Sequence, residues 1–194
     1  MQAARGASLN PSDPDRSPSS RRALLTFAVV AVLTYGADLL TKTLALRNLE
    51  PGEPVSVLGD LLQLRLHFNP GAAFSMGTSF TSVLTVVAVV AAVVVLVLAR
   101  RLGDRLWGFG LGCLLGGVLG NLTDRVFREP SFMHGHVVDF LALPNWPIFN
   151  VADICINVAA GVIILQALRG ITLGGGRTDQ EPDEAHAVAD KDRS

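Results

Sequence analysis

Four apolar runs of about twenty residues dominate this chain of 194 residues, at about 23–46, 80–99, 106–127 and 148–168. Each is long enough, at about 1.5 Å rise per residue, to cross the ~30 Å hydrocarbon core of a bilayer. With no water at that depth, every backbone amide must be satisfied within the segment, so each run is expected to be a helix. Three of the runs carry charge: Asp38 and Lys42 in the first, Asp124 and Arg125 in the third, Asp153 in the fourth. A charge at mid-bilayer costs roughly 2.5–3.5 kcal/mol or more, so these groups must be paired, wet or functional.

The remaining charge is concentrated in the ends and in short clusters. There is no basic domain, and no aromatic-basic interleaving of the kind that binds single-stranded nucleic acid, so no nucleic-acid partner is expected. Cys113 and Cys155 both lie in apolar runs and read as small buried hydrophobes, not as a disulfide framework. The first run is too long for a signal-peptide core and lacks a small-residue cleavage site, so it reads as an uncleaved span. Residues 1–22 and 170–194 are rich in Ser, Pro, Gly and acids, and both are expected to be disordered tails flanking a domain at 23–169.

Arginines set the orientation. Arg21 and Arg22 precede the first run, Arg100, Arg101 and Arg105 fill the link between the second and third, and Arg169 and Arg177 follow the fourth. The positive-inside rule places both termini and that link in the cytoplasm, and the segments at about 47–79 and 128–147 outside. In the first outer segment, Leu62 to Phe68 alternate apolar and polar, a half-buried strand. With 55–58 and the turn signals around it, a small sheet is expected, its apolar face toward the outer leaflet. Trp146 is an interface anchor in the second outer segment.

Depth and face then bring the polar residues together. Asp38 lies about 22 Å above the inner end of the first run, and Asn121 and Asp124 about 22–27 Å above that of the third. The fourth run descends, and Asp153 lies about 8 Å below its outer boundary. Asp139 sits just outside that boundary. Asp38 and Lys42 are i, i+4; Asn121, Asp124 and Arg125 are i, i+3, i+4; Asn150, Asp153 and Asn157 are i, i+3, i+7, each set on one helix side. Gly112, Gly116 and Gly120 form a small-residue ridge that admits a close neighbour.

Asp38–Lys42 and Asp124–Arg125 read as local pairs that hold helices together. Asp139 and Asp153 have no cationic partner at helical spacing. Two such carboxylates near a low-dielectric boundary suit an aspartyl-protease dyad: one holds a proton while the other activates water. Structural or ion-pathway carboxylates compete with that reading, and an ion-coupled transporter is the rival function. Weaker candidates are a metal at His134 and His136, a Ser-Lys pair of Ser75 with Lys42, and a turn at Asn69-Pro70-Gly71. The sequon at Asn121 lies inside a run and carries no meaning there.

Five motifs occur in order: Asp38-Leu-Leu-Thr-Lys42, Asn69-Pro-Gly-Ala-Ala-Phe-Ser75, Gly120-Asn-Leu-Thr-Asp-Arg125, Val137-Val-Asp-Phe140 and Phe149-Asn-Val-Ala-Asp153. Together they resemble the prolipoprotein signal peptidase family (signal peptidase II) of bacterial membranes, over about residues 23–168. The resemblance implies a mainly α membrane protein: a four-transmembrane-helix bundle with a small extracytoplasmic sheet and a short extracytoplasmic helix. It implies an aspartyl endopeptidase that cuts diacylglyceryl-modified prolipoproteins just before the lipidated Cys, with no cofactor. The catalytic pair maps onto Asp139 and Asp153, and supporting roles map onto Asp38, Lys42, Asn69, Gly71, Asn121, Asp124, Arg125 and Asn150. The expected partners are that substrate and membrane lipid, with the chain acting as a monomer in the bacterial cytoplasmic membrane.

Overall fold

A computed structural model describes residues 18–71 and 79–178. The four expected helices are present: α1 (Pro18–Asn48), α2 (Ser79–Ala99), α3 (Arg105–Phe127) and α4 (Val151–Leu168). All four are long and apolar enough to cross a membrane. Three strands join them, β1 (Val55–Leu58), β2 (Leu62–Asn69) and β3 (Val137–Ala142), in one antiparallel sheet of order β1-β2-β3. A register shift between Leu64 and His67 sets His67 opposite Asp139.

The central element is α3, which packs against all three other helices. Its glycines make that possible. A side chain at Gly116 would lie 2.7 Å from the Ala31 carbonyl oxygen and 2.6 Å from Thr34 Cβ, both on α1. Gly108, Gly112 and Gly120 meet α1 in the same way, so the ridge read from the sequence extends one step further. Gly110 and Gly117 open a second face, where α4 approaches through Val162, Ala152 and Ile156. Between bilayer-embedded helices, packing and hydrogen bonds replace the hydrophobic driving force, and small residues let backbones come close. By contrast α2 presents a row of exposed valines, including Val83, Val86, Val90 and Val94. That surface suits lipid contact.

A second apolar cluster joins the sheet to the end of α1: Ala45 and Leu49 meet Leu66, Val138 and Phe140. It fixes the sheet, and hence Asp139, relative to the bundle. At the other end, residues 170–178 fold back over the α2–α3 link. The Trp107 indole donates to the Ile171 carbonyl at 2.9 Å, and Gly103 N–H donates to that of Leu173 at 2.8 Å.

Several expectations need correction. The fourth helix begins at Val151, not at 148, because Asn150 caps it and Phe149 is tied to β3. Pro147 and Ile148 therefore belong to a loop. Residues 128–136 form turns, and the second outer segment contains β3 where a short helix was implied. Disorder from residue 170 is wrong for 170–178, and α1 starts at Pro18, inside the expected tail. The rest of both tails, and Ser75, lie outside the described residues.

If α1 and α3 meet through glycine, Gly116→Val should lower thermal stability in detergent by about 1–3 kcal/mol, the usual cost of overpacking. Gly161→Ala, where nothing lies within 4 Å of the new methyl, should be neutral or stabilising. Thermal unfolding of both variants checks the contrast.

Candidate active site

One buried ammonium organises the polar layer. Lys42 Nζ lies 2.7 Å from Asp38, 2.9 Å from Asp124 and 2.9 Å from Asn121 Oδ1. Lys42, Asp38 and Asp124 are all fully buried. Asp124 has a second cation, Arg128, one turn along α3. Two carboxylates thus face two cations, the balance buried charge requires. Both acids also reach beyond the helices. Asp38 accepts from Ala152 N–H at the start of α4 (2.9 Å), and Asp124 accepts from Val138 N–H on β3 (3.2 Å).

The expected Asp124–Arg125 pair does not form. Consecutive residues point about 100° apart round a helix, whereas i and i+4 stack, so Arg128 takes the partner role. The i, i+4 rule applied past the end of the motif would have found it. Arg125 lies beside Gly71, and its buried Nη1 makes no hydrogen bond.

Asparagines carry the order from this cluster to Asp139 and Asp153. Asn121 accepts from Lys42 through Oδ1 and donates through Nδ2 to Asp153 Oδ1 at 3.0 Å. Asn150 Nδ2 donates to Asp139 Oδ1 at 2.7 Å and to Asn121 Oδ1 at 3.1 Å. Its Oδ1 accepts from Asp153 N–H (3.0 Å), and Asp153 Oδ2 accepts from Asn150 N–H (3.1 Å). That reciprocal pair is a capping box, and it turns a helix-start device into a clamp on a carboxylate. Asn69 donates to Asp139 Oδ2 at 2.9 Å. Its own Oδ1 is held by Gly71 N–H at 2.8 Å, which fixes which way the amide points. Gly71 has φ +96°, and a side chain there would run into Leu84.

Asp139 and Asp153 therefore each sit between amide donors, with no ion pair among the described residues. Both line the same cavity of about 680 Å³, with Asn69, Trp146, Ile148 and Asn157. Burial and the nearby Asp153 push the Asp139 carboxyl up to about 6, against the opposing pull of the Asn69 and Asn150 amides and of the Lys42 charge.

The other candidates separate. His134 Nε2 is 2.7 Å from Ser82 Oγ and its Nδ1 is 3.0 Å from the Phe132 carbonyl, so its ring ties a turn to the top of α2. His136 faces a different pocket, with Phe68 and Glu129. Lys42 is fully committed to its partners. Trp146 and Ile148, beside the carboxylates, were missed as site residues because only the loop fold brings them there.

The family model described as signal peptidase (SPase) II matches residues 30–169. The chain belongs to that family. It is a signal peptidase of type II, a multi-pass membrane peptidase, and membership leaves the transporter reading without support. A lipoprotein signal peptidase of Rhodococcus jostii is 48% identical over 170 residues, covering 88% of this chain and 85% of the relative. One from Leifsonia xyli is 47% identical over 169 residues, covering 87% and 78%. Two solved structures, each described as a bacterial membrane enzyme structure by the in meso method, share the fold. One has a TM-score of 0.67 at 24% identity, covering 74% of this chain and 93% of its own. The other has 0.63 at 25%, covering 81% and 92%.

Two outcomes follow from the geometry. Lys42→Met leaves Asp38 and Asp124 buried without their shared cation and should cost about 3–5 kcal/mol. Arg128→Ala, whose side chain is 29% exposed, should cost less, and thermal unfolding ranks them. The second concerns pH. Folded Asp139 holds its proton more tightly than the unfolded chain, where the ordinary value is 3.8. Its contribution to stability is therefore full below about 3.8 and is lost as pH rises through about 6. The stability of the native protein relative to Asp139→Asn should fall across that window, as thermal unfolding at several pH values would record.

Proposed function

We propose that this peptidase removes the signal peptide of diacylglyceryl-modified prolipoproteins, cutting just before the lipidated Cys, with Asp139 and Asp153 as the catalytic pair. The observation that carries this reading is one cavity lined by two carboxylates, each held by asparagine amides and not by a cation. The relatives' names support the prolipoprotein substrate.

Asp139, pushed up by burial and by its neighbour, holds the shared proton. Asp153 takes a proton from water as the water oxygen bonds to the scissile carbonyl carbon. Asp139 gives its proton to the carbonyl oxygen, leaving a neutral diol on that carbon. The C–N bond then breaks. Asp153 returns its proton to the departing nitrogen, Asp139 recovers one from a diol hydroxyl, and the pair is restored. Asn69, Asn121 and Asn150 hold the carboxylates still through these transfers. Lys42, Asp38, Asp124, Gly71 and Arg125 support them from behind.

The cavity sits at the end of the bundle away from the arginines of 100–105 and 169–177. With positive charge inside, that end is extracytoplasmic and both termini are cytoplasmic. A substrate whose lipid chains stay in the outer leaflet presents its bond at this level, so membrane lipid borders the site. Residues 23–169 form the working domain between the tails. Both carboxylates come from one chain, in keeping with action as a monomer.

Asp139→Asn and Asp153→Asn should each lower cleavage of lipidated pro-substrate in proteoliposomes by at least about a hundredfold, the scale of lost acid–base catalysis. Both proteins should still insert. Full activity in either variant would remove the dyad. A proton leak without cleavage would favour the transporter.

A further inference from the structure

The catalytic cavity does not end at the carboxylates. A second pocket of about 470 Å³ adjoins it on the sheet, lined by Asp60, Gln63, Arg65 and Asn145 together with Trp146 and Ile148. Trp146 and Ile148 line both pockets, so a chain crossing them passes from one to the other. The loop that carries them is anchored: Phe149 exchanges backbone hydrogen bonds with Leu141 at 3.0 and 2.8 Å, and Asn145 takes a left-handed turn at φ 56°. Trp146 stands 64% exposed at the junction.

The two pockets differ in chemistry. The first continues down α4 past Ile154 and Val158, along a membrane-spanning helix. The second lies away from the spans, and beside Leu143, Pro144 and the shared Trp146 and Ile148 it presents a carboxylate, two amides and a guanidinium. Arg65 and Asp60 form no ion pair with each other among the described residues. Resting on the function proposed above, the substrate has two dissimilar arms. The apolar signal segment and the lipid chains remain in the bilayer, on the α4 side. The segment beyond the cut must leave the membrane as a polar chain.

We propose that the Asp60–Gln63–Arg65 pocket is a specificity subsite for the mature side of the substrate, taking the polar residues that follow the lipidated Cys. Because the second pocket adjoins the first across Trp146 and Ile148, it takes the residues soon after the lipidated Cys, about two to four beyond the cut at ~3.3 Å per extended residue. Arg65 favours an acidic side chain there and Asp60 a basic one, so the two charges together set how the pocket ranks acidic against basic residues. The charges are exposed and screened by water, so the effect is modest, roughly two- to fivefold.

The test uses the full chain in proteoliposomes and three lipidated pro-peptides that differ only at the second to fourth residues after the cut: neutral, acidic or basic. The readout is the acidic-to-basic ratio of kcat/KM, which is insensitive to any general loss of activity. It should fall from its native value in Arg65→Glu, through KM and not kcat. Arg65→Gln should give an intermediate ratio. An unchanged ratio in both variants, with the neutral peptide still cleaved, would overturn the subsite and leave the peptidase reading standing. If the native protein cuts none of the three peptides, the peptidase reading falls and the subsite with it.

Discussion

The ammonium of Lys42 is the constraint from which the rest of the polar layer follows. A lone cation at this depth is prohibitive, and so is a lone carboxylate. Together, Lys42, Asp38, Asp124 and Arg128 cancel; the two carboxylates also accept from the start of α4 and from β3, and the remaining Lys42 donor goes to Asn121. Replacing such a cluster with apolar residues often leaves stability no worse, so burial of charge is not in itself a source of stability. What the cluster supplies here is position. It ties α1, α3, α4 and the sheet to one point, and Asp139 and Asp153 are hung from that point by amides.

Amides suit that task. A cation beside either carboxylate would favour its charged form and separate the proton from the pair. Asparagine gives direction at less electrostatic cost, since its N–H donates and its carbonyl is in turn fixed by a neighbour. Asn69, Asn121 and Asn150 are each held at both ends of the amide. The charged and the neutral parts of the network therefore divide the work, one anchoring the frame and the other presenting the acids.

Much of this was legible in the residues. Apolar length placed the helices to within a few positions, and the period-two pattern at 62–68 located β2. Helical rise placed Asp38, Asn121, Asp124 and Asp153 in one layer before any contact was known. Failures came where tertiary contacts override local pattern. Ile148 is apolar enough to continue a span, yet Asn150 ends the loop with a side-chain cap and Phe149 pairs with β3. Val137–Ala142 is a short apolar run with no alternation, so nothing local marks it as a strand; β2 supplies the hydrogen bonds that make it one. Arg128 lies beyond the motif that ends at Arg125, and only the i, i+4 stacking carried past that motif marks it as the partner of Asp124. Trp146 and Ile148 join the site only through loop closure, which no spacing rule reports.

The capping box at the start of α4 has an asymmetric outcome for mutational tolerance. Asp153 serves two masters, since one oxygen completes the first turn of the helix while the side chain lines the cavity. Under the proposed mechanism, changes there disturb folding yield and turnover together, and a genetic screen would see a single composite defect. Asp139 lies on a strand and takes no part in the capping box itself, meeting the cap only through the Asn150 amide, so the two effects are easier to tell apart there.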